Sequence, residues 1–257
     1  MNIPGNILYF FKQKHNWQIP DIFNEFLLNN SYAFYSAETV NDYFEDLLEN
    51  NNEIKIEGFG AGSKKYNAKF QKIVTIAKNS STNFKFGITY QKLLNFFNIK
   101  SVLEFGTNLG VGTMFLALAS NSVKVTTIEG DRNLYDFTKN KFNKLNISNV
   151  EFINYDFDEA IKDFNLKNKI FDMFFVDGNH KSEAILRYVS FIERNLVNGK
   201  FILIIDDINW SIEMNRAWKK IVSTHKNCFI LNLFRTGIIF SGYDFPVNKE
   251  FFVKFID

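Results

Sequence analysis

Cysteine is almost absent: the chain of 257 residues has one, Cys228. A single thiol excludes an intrachain disulfide framework and a multi-cysteine zinc site. Its setting, KNCFILNLF, reads as a strand, where a small buried hydrophobe is the expected role rather than a reactive thiol. Proline is also scarce, at 3 residues, and no Pro/Ser-rich linker, internal repeat or low-complexity tract divides the chain. An excess of one charge sign is missing too, since 30 basic residues face 28 acidic ones for a net charge of +2. Binding along a phosphate backbone needs a concentrated positive face, so nucleic acid is not expected as the main partner. No stretch approaches the ~20 apolar residues of a membrane span, and the start, MNIPGNILYFFKQKHNW, carries no basic leader or cleavage-like small residues. A soluble, cytoplasmic protein without a membrane partner is the expectation.

What is present is apolar material for a core: 46% of residues are hydrophobic and 31 are phenylalanine. From about residue 100 this material alternates regularly. SVLEF, VKVTTIE, NVEFINY, FDMFFVD and GKFILIIDD are continuous apolar runs, each followed by a segment of helical pattern. In KSEAILRYVSFIERNL, Ile185, Leu186, Val189, Ile192 and Leu196 form one stripe. Such alternation means βαβ units and a parallel sheet covered on both faces. NCFILNLF, GIIFSGYD and EFFVKFI read as closing strands that could end the sheet in an antiparallel hairpin. Before residue 100, ETVNDYFEDLLENNNEI, AKFQKIVTIAKNS and TYQKLLNFFNI are helical in pattern. The expectation is a helical N-terminal cap over residues 1–84 and an α/β domain over 85–257. A glycine-rich loop at 57–63 serves either as a lid or as a plain surface turn.

The first strand ends in a glycine turn. SVLEFGTNLGVGT places Gly106, Gly110 and Gly112 between strand and helix, where glycine permits positive φ and close approach of a ligand to the backbone. The spacing is E-x-G-x-x-x-G-x-G, beginning at Glu104, and not the dinucleotide G-x-G-x-x-G. Glu129 closes the second strand, well placed to accept the hydroxyls of a ribose. The fourth strand ends at Asp177, in FVDGNH, and the fifth at Asp206 and Asp207, in IIDDINW. Neighbouring strands would bring these three acids together, and three carboxylates repel unless protonated or neutralised. Oxygen ligands of this kind suit Mg²⁺ or another hard divalent ion.

The glycine motif and the acid after it resemble class I S-adenosylmethionine-dependent methyltransferases over roughly residues 85–257. The resemblance implies a Rossmann-like, seven-stranded, mostly parallel sheet. It implies a cofactor site drawn from Glu104, Gly106, Thr107, Asn108, Gly110, Gly112, Glu129, Gly130, Asp156, Phe157 and Asp177, with Glu129 on the ribose and Asp156 and Phe157 toward the adenine. For Asp156 a helix N-cap is the rival role. The strand-end acids are similar to those of cation-dependent O-methyltransferases, which implies Asp177, Asp206 and Asp207 as ligands of Mg²⁺ or Mn²⁺. In related sugar O-methyltransferases the position of Asn179 tends to carry a catalytic aspartate. Asparagine cannot act as a base, so His180 next to it is the candidate base, with Asp177 beside it in the catalytic set. The competing roles stay open: His180 as an idle first helix residue, Asp207 or Asn209 as a helix cap, and Trp210 and Trp218 as packing. His15 and His225 are read as structural.

The expected activity is methyl transfer to a hydroxyl of a small molecule, a sugar or a phenolic natural product. Two alternatives are kept: a metal-independent O- or N-methyltransferase, and a cofactor-binding non-catalytic subunit. Substrate identity is set by loops with no readable code, and self-association into a homo-oligomer is left open.

Overall fold

The computed structural model describes residues 8–10, 37–56, 70–245 and 249–255; the loop at 57–63 lies outside them. Each apolar run past residue 100 becomes a strand. Ser101–Phe105 (β4), Lys124–Ile128 (β5), Val150–Ile153 (β6), Met173–Val176 (β7) and Phe201–Ile205 (β8) pair in parallel, in the spatial order β6-β5-β4-β7-β8. Phe229–Asn232 (β9) and Gly237–Ser241 (β10) form an antiparallel hairpin, and β10 docks antiparallel on β8. The run EFFVKFI, also read as a closing strand, becomes Lys249–Phe255 (β11), which runs parallel to β9. Leu8–Phe10 (β1), unread in the sequence, pairs with β11, so the sheet has nine strands where the resemblance implied seven.

The central strands β4, β7, β8, β9 and β10 are buried on both faces because they are apolar at successive positions. Leu103, Phe174, Val176 and Leu203 share one core with Ile185, Tyr188 and Ile192 of Ser182–Asn195 (α8) and Trp218 of Ile212–Thr224 (α9). Val102, Phe175 and Ile204 face the other side, against Tyr90, Leu93 and Leu94 of Phe84–Phe96 (α3) and Leu116 of Val111–Ala117 (α4). At roughly 1.5–3 kcal/mol for each fully buried large apolar side chain, these two layers dominate the stabilisation.

The N-terminal segment departs from the helical expectation at two places. Glu53–Lys55 (β2) and Phe70–Lys72 (β3) pair as a small antiparallel ribbon between Ala37–Glu49 (α1) and Ile73–Ser80 (α2). Val40, Tyr43, Leu47, Ile73 and Ile76 pack with Met114, Phe115, Leu134 and Phe142. The described part of the cap therefore shares its core with α4 and with Arg132–Lys144 (α5). The segment after β6 is broken into two single turns, Phe157–Ala160 (α6) and Phe164–Lys167 (α7).

The chain moves outward from β4 to β5 to β6, then crosses back to β7 on the other side of β4. That reversal opens a crevice at the carboxyl ends of β4 and β7, where open α/β sheets bind ligands.

Candidate active site

Gly106 is the first residue beyond β4 and has φ of +109°, a region costly for any residue with a Cβ. A Cβ there would lie 2.1 Å from the carbonyl oxygen of Asp177. The glycine thus lets the β4 and β7 turns pass each other. Gly110 N-caps α4 with φ of +80°, and a Cβ at Gly112 would crowd the Thr82 hydroxyl at 2.7 Å. The cap holds this loop from outside. Tyr43 donates its hydroxyl to the Leu109 carbonyl at 2.6 Å, and Asn108 Nδ2 donates to the Ser80 carbonyl at 3.1 Å. Asn108 Oδ1 is buried with no hydrogen-bond partner among the described residues.

Glu129, at the end of β5, accepts from the backbone N–H of Asn108 at 2.8 Å and of Asp131 at 2.9 Å, through different carboxylate oxygens. With the Gly130 N–H also aimed at the carboxylate, three backbone donors leave at least one of its lone pairs open. Burial raises its pKa above the usual carboxylate value, against the lowering effect of those backbone donors. Glu104 behaves differently. It is fully buried beneath the loop, where Thr113 and Thr127 donate to its Oε2 at 2.5 and 2.6 Å. Thr127 in turn contacts the Thr107 hydroxyl at 2.6 Å. Burial pushes Glu104 up to about 7. It supports the loop from below and is not among the residues lining the cavity.

That cavity, of about 280 Å³, is lined by Gly106, Asn108, Glu129, Gly130, Asp156, Phe157, Asp177, Gly178, Asn179, His180, Asp207, Trp210 and Arg235, together with residues of the cap. Thr107, Gly110, Gly112 and Asp177 border a small recess behind it with Ser80 and Thr82. Asp156 N-caps α6, accepting from the Asp158 N–H at 2.8 Å, so it combines the capping role with a place on the wall. A larger depression of about 580 Å³ lies beyond Asn179, where Asp158 pairs with Arg187. It holds none of the strand-end acids, so the chemistry belongs to the smaller cavity.

The three strand-end acids do not converge as one set. Neighbouring positions at a strand end point to different sides, and here Asp206 turns inward. It is buried, accepting from Arg235 Nε at 3.1 Å and Nη2 at 3.0 Å through Oδ2, and from the Thr236 hydroxyl through Oδ1. Asp207, with φ of +52°, turns toward the cavity. Its Oδ1 lies 3.2 Å from Arg235 Nε and its Oδ2 3.6 Å from His180 Nε2. One ligand atom each from Asp177, His180 and Asp207 lie within 4.8 Å of one another. The cluster therefore contains His180 where Asp206 was expected. An opposite unit charge at ~4 Å is worth about 4 kcal/mol at an effective dielectric near 20, so Arg235 offsets a large part of the repulsion within the acidic pair.

Burial, then the Asp206 and Asp207 charges, hold Asp177 well above the usual carboxylate range. Burial also raises Asp207 and lowers His180, which keeps its imidazole neutral to lower pH. Burial alone would lower Arg235, but Asp206 and Asp207 outweigh it and hold the guanidinium above its ordinary value. His180 Nδ1 is buried with no partner among the described residues. Half-exposed Trp210 stands beside the His180 ring, at 6.0 Å between centroids. Trp218 packs in the core, and His225 pairs with Glu193. Arg235 went unread in the sequence. Its only signal there is a lone cation in LFRTG, the apolar turn between β9 and β10.

A family profile described as a methyltransferase domain matches residues 103–208, from β4 to the turn after β8. This stretch matches that domain in sequence and shares the fold of solved methyltransferases. Ribosomal RNA small subunit methyltransferase G of Fusobacterium nucleatum is 32% identical over 104 residues, which are 40% of this chain and 42% of that protein. The chain thus spans about two fifths of the length of that curated relative. The O-methyltransferase of Bacillus cereus in complex with SAH is similar in structure, with a TM-score of 0.53 and 19% identity over 66% of this chain and 84% of that one. A putative caffeoyl-CoA O-methyltransferase of Staphylococcus aureus has a TM-score of 0.55 and 18% identity, over 65% and 88% of the two chains. An SAH-bound methyltransferase of Podospora anserina covers 95% of this chain and 100% of its own, with a TM-score of 0.58 and 14% identity. At these identities the likeness of the methyltransferase domain to the three structures is one of fold.

Proposed function

We propose that the protein transfers a methyl group from S-adenosylmethionine to a hydroxyl of a small molecule. The observation that carries this reading is the continuity of the cavity: Gly106, Asn108 and Glu129 line one part, and Asp177, His180 and Asp207 another. When bound, the cofactor supplies an electrophilic methyl on a sulfonium; the C–S bond breaks, its electron pair stays on sulfur, and a C–O bond forms. The residues fit that cofactor. Gly106, packed against the Asp177 carbonyl, borders the cavity with backbone and no side chain, Asn108 Oδ1 is an unmet acceptor for an ammonium group, and Glu129 has a lone pair left for ribose hydroxyls. Holding acceptor and donor in line supplies much of the acceleration. His180, kept neutral by burial, takes the hydroxyl proton at Nε2, with Asp207 Oδ2 close enough to stabilise the imidazolium that forms.

An acceptor of small size suits the walls. Among the described residues of the lining, Glu129, Asp131, Asp156, Asp177 and Asp207 stand alongside one arginine, Arg235, an environment for a cationic cofactor and a poor one for a polyanion. Among the described residues no helix is long and apolar enough to cross a membrane. Transfer of label from methyl-labelled S-adenosylmethionine to small-molecule fractions of a cell extract, and not to its RNA, tests the reading. Label in RNA alone would overturn the acceptor class. No label at all would favour a non-catalytic subunit.

A second reading is favoured by one observation, the approach of Asp177, His180 and Asp207 within 4.8 Å. The ligand set expected for Mg²⁺ does not fit, because Asp206 is buried, is not among the residues lining the cavity, and is held inward by Arg235 and Thr236. Two carboxylates and an imidazole would instead hold a borderline ion such as Mn²⁺, which would acidify the acceptor hydroxyl and occupy His180. Loss of methyl transfer in EDTA, restored by Mn²⁺, would support it.

A further inference from the structure

Arg235 is built into its position. It sits in the β9–β10 turn, whose Phe234 has φ of +65°. Leu233 N–H donates to the Thr236 carbonyl at 2.8 Å, and Ile208 N–H donates to the Arg235 carbonyl at 2.8 Å. Asn209 Nδ2 donates to the Phe234 carbonyl. The turn is thus pinned to the loop that carries the acidic pair. Thr236, fully buried, contacts the Tyr90 hydroxyl at 3.2 Å while donating to Asp206. The Phe86 ring lies 6.0 Å from the guanidinium carbon, a cation–π distance.

The guanidinium has five N–H groups. Nε and Nη2 serve the two aspartates, while Nη1 has no partner among the described residues. The side chain is 40% exposed and lines the cavity. We propose that Arg235 is the resident cation of the acceptor site. It neutralises the acidic pair where a divalent ion would otherwise be needed and presents its remaining N–H groups to the acceptor oxygen. A fixed guanidinium stabilises the oxygen as it ionises, with no exchangeable ion. The inference rests on the methyltransferase reading and departs from a cation-dependent one.

Thermal melts of the full chain in EDTA, in Mg²⁺ and in Mn²⁺ test it, with S-adenosylhomocysteine titrated by calorimetry. The parent should melt at one temperature in all three buffers. Arg235→Gln should melt lower in EDTA and regain stability with Mn²⁺ or Mg²⁺ by mass action, because its acids have lost their counter-charge. Its affinity for S-adenosylhomocysteine should stay within about threefold of the parent's, since the glycine loop and Glu129 are untouched. If Arg235→Gln does not fold, the double variant Arg235→Gln with Asp206→Asn removes an acid along with the guanidinium. It should fold and, with Asp177 and Asp207 left without a counter-charge but one acid fewer, still rise with cation by a smaller amount, where the parent shows no rise. A saturable rise for the parent in Mn²⁺ or Mg²⁺ would overturn the proposal, as would variants that ignore the ions. A parent that binds no S-adenosylhomocysteine removes the methyltransferase reading instead, a result independent of the melts.

Discussion

The carbonyl oxygen of Asp177 stands 2.1 Å from where a Cβ on Gly106 would sit. Two strand ends that carry opposite halves of the cavity are therefore in backbone contact through a missing side chain. Gly106→Ala must move one of them, and at φ of +109° it also adds backbone strain. A cost of about 3 kcal/mol or more is expected, with binding of S-adenosylmethionine lost even where the fold survives. Melting and calorimetry on the purified variant check both parts. Unchanged affinity would show that the loop is not the cofactor cradle.

Glu129 joins loop and ligand. Its carboxylate already holds the Asn108 and Asp131 N–H groups, so Glu129→Ala removes both the proposed ribose acceptor and the clamp on the loop. Affinity for S-adenosylmethionine should fall by about 1.5–3 kcal/mol, as for lost charge-assisted hydrogen bonds. Glu129→Gln keeps the shape and should lose less. If both variants bind like the parent, the ribose lies elsewhere.

The place of these two residues at strand ends beside the cavity was legible because local pattern encodes it. A strand, a glycine turn and an acid at the next strand end are fixed by contacts close in sequence or by the repeat of the βαβ unit. The orientation of Asp206 was not legible. Asp206 and Asp207 are adjacent letters, and only the turn at Arg235, 29 positions from Asp206, sends one inward and the other to the cavity. Nor could pattern reveal that Glu104 lies beneath the loop, since that depends on hydroxyls from Thr113 and Thr127 meeting there. The β2–β3 ribbon escaped notice because three-residue strands are too short to show a period of two.

His180 is the expected proton acceptor, and its environment sets the pH at which it works. Burial lowers its pKa below the ordinary value of about 6.5, so the neutral, competent form persists below that pH. The acidic limb of the rate–pH profile should fall under about pH 6.5, and His180→Ala should remove the limb while lowering kcat by roughly 10²–10⁴-fold. Binding of S-adenosylmethionine should persist. Near-full activity with the limb intact would move the proton to another residue or to water.

Glu104 offers a test that needs no substrate. Its folded-state value, about 7, lies above the ordinary carboxylate value because the fold buries it. A group raised in this way stabilises the fold fully below its unfolded value, and the contribution is lost as pH rises through the folded one. The unliganded protein should therefore weaken between about pH 5 and pH 8, by on the order of 2 kcal/mol from this group. Glu104→Gln cannot ionise, and its amide oxygen can still accept from Thr113 and Thr127, which both donate to a single oxygen of the glutamate. The variant should match the parent near the acid end and melt several degrees higher at about pH 8. Parallel melting curves across that range, with a constant offset between the two proteins, would mean that Glu104 is not the group that titrates.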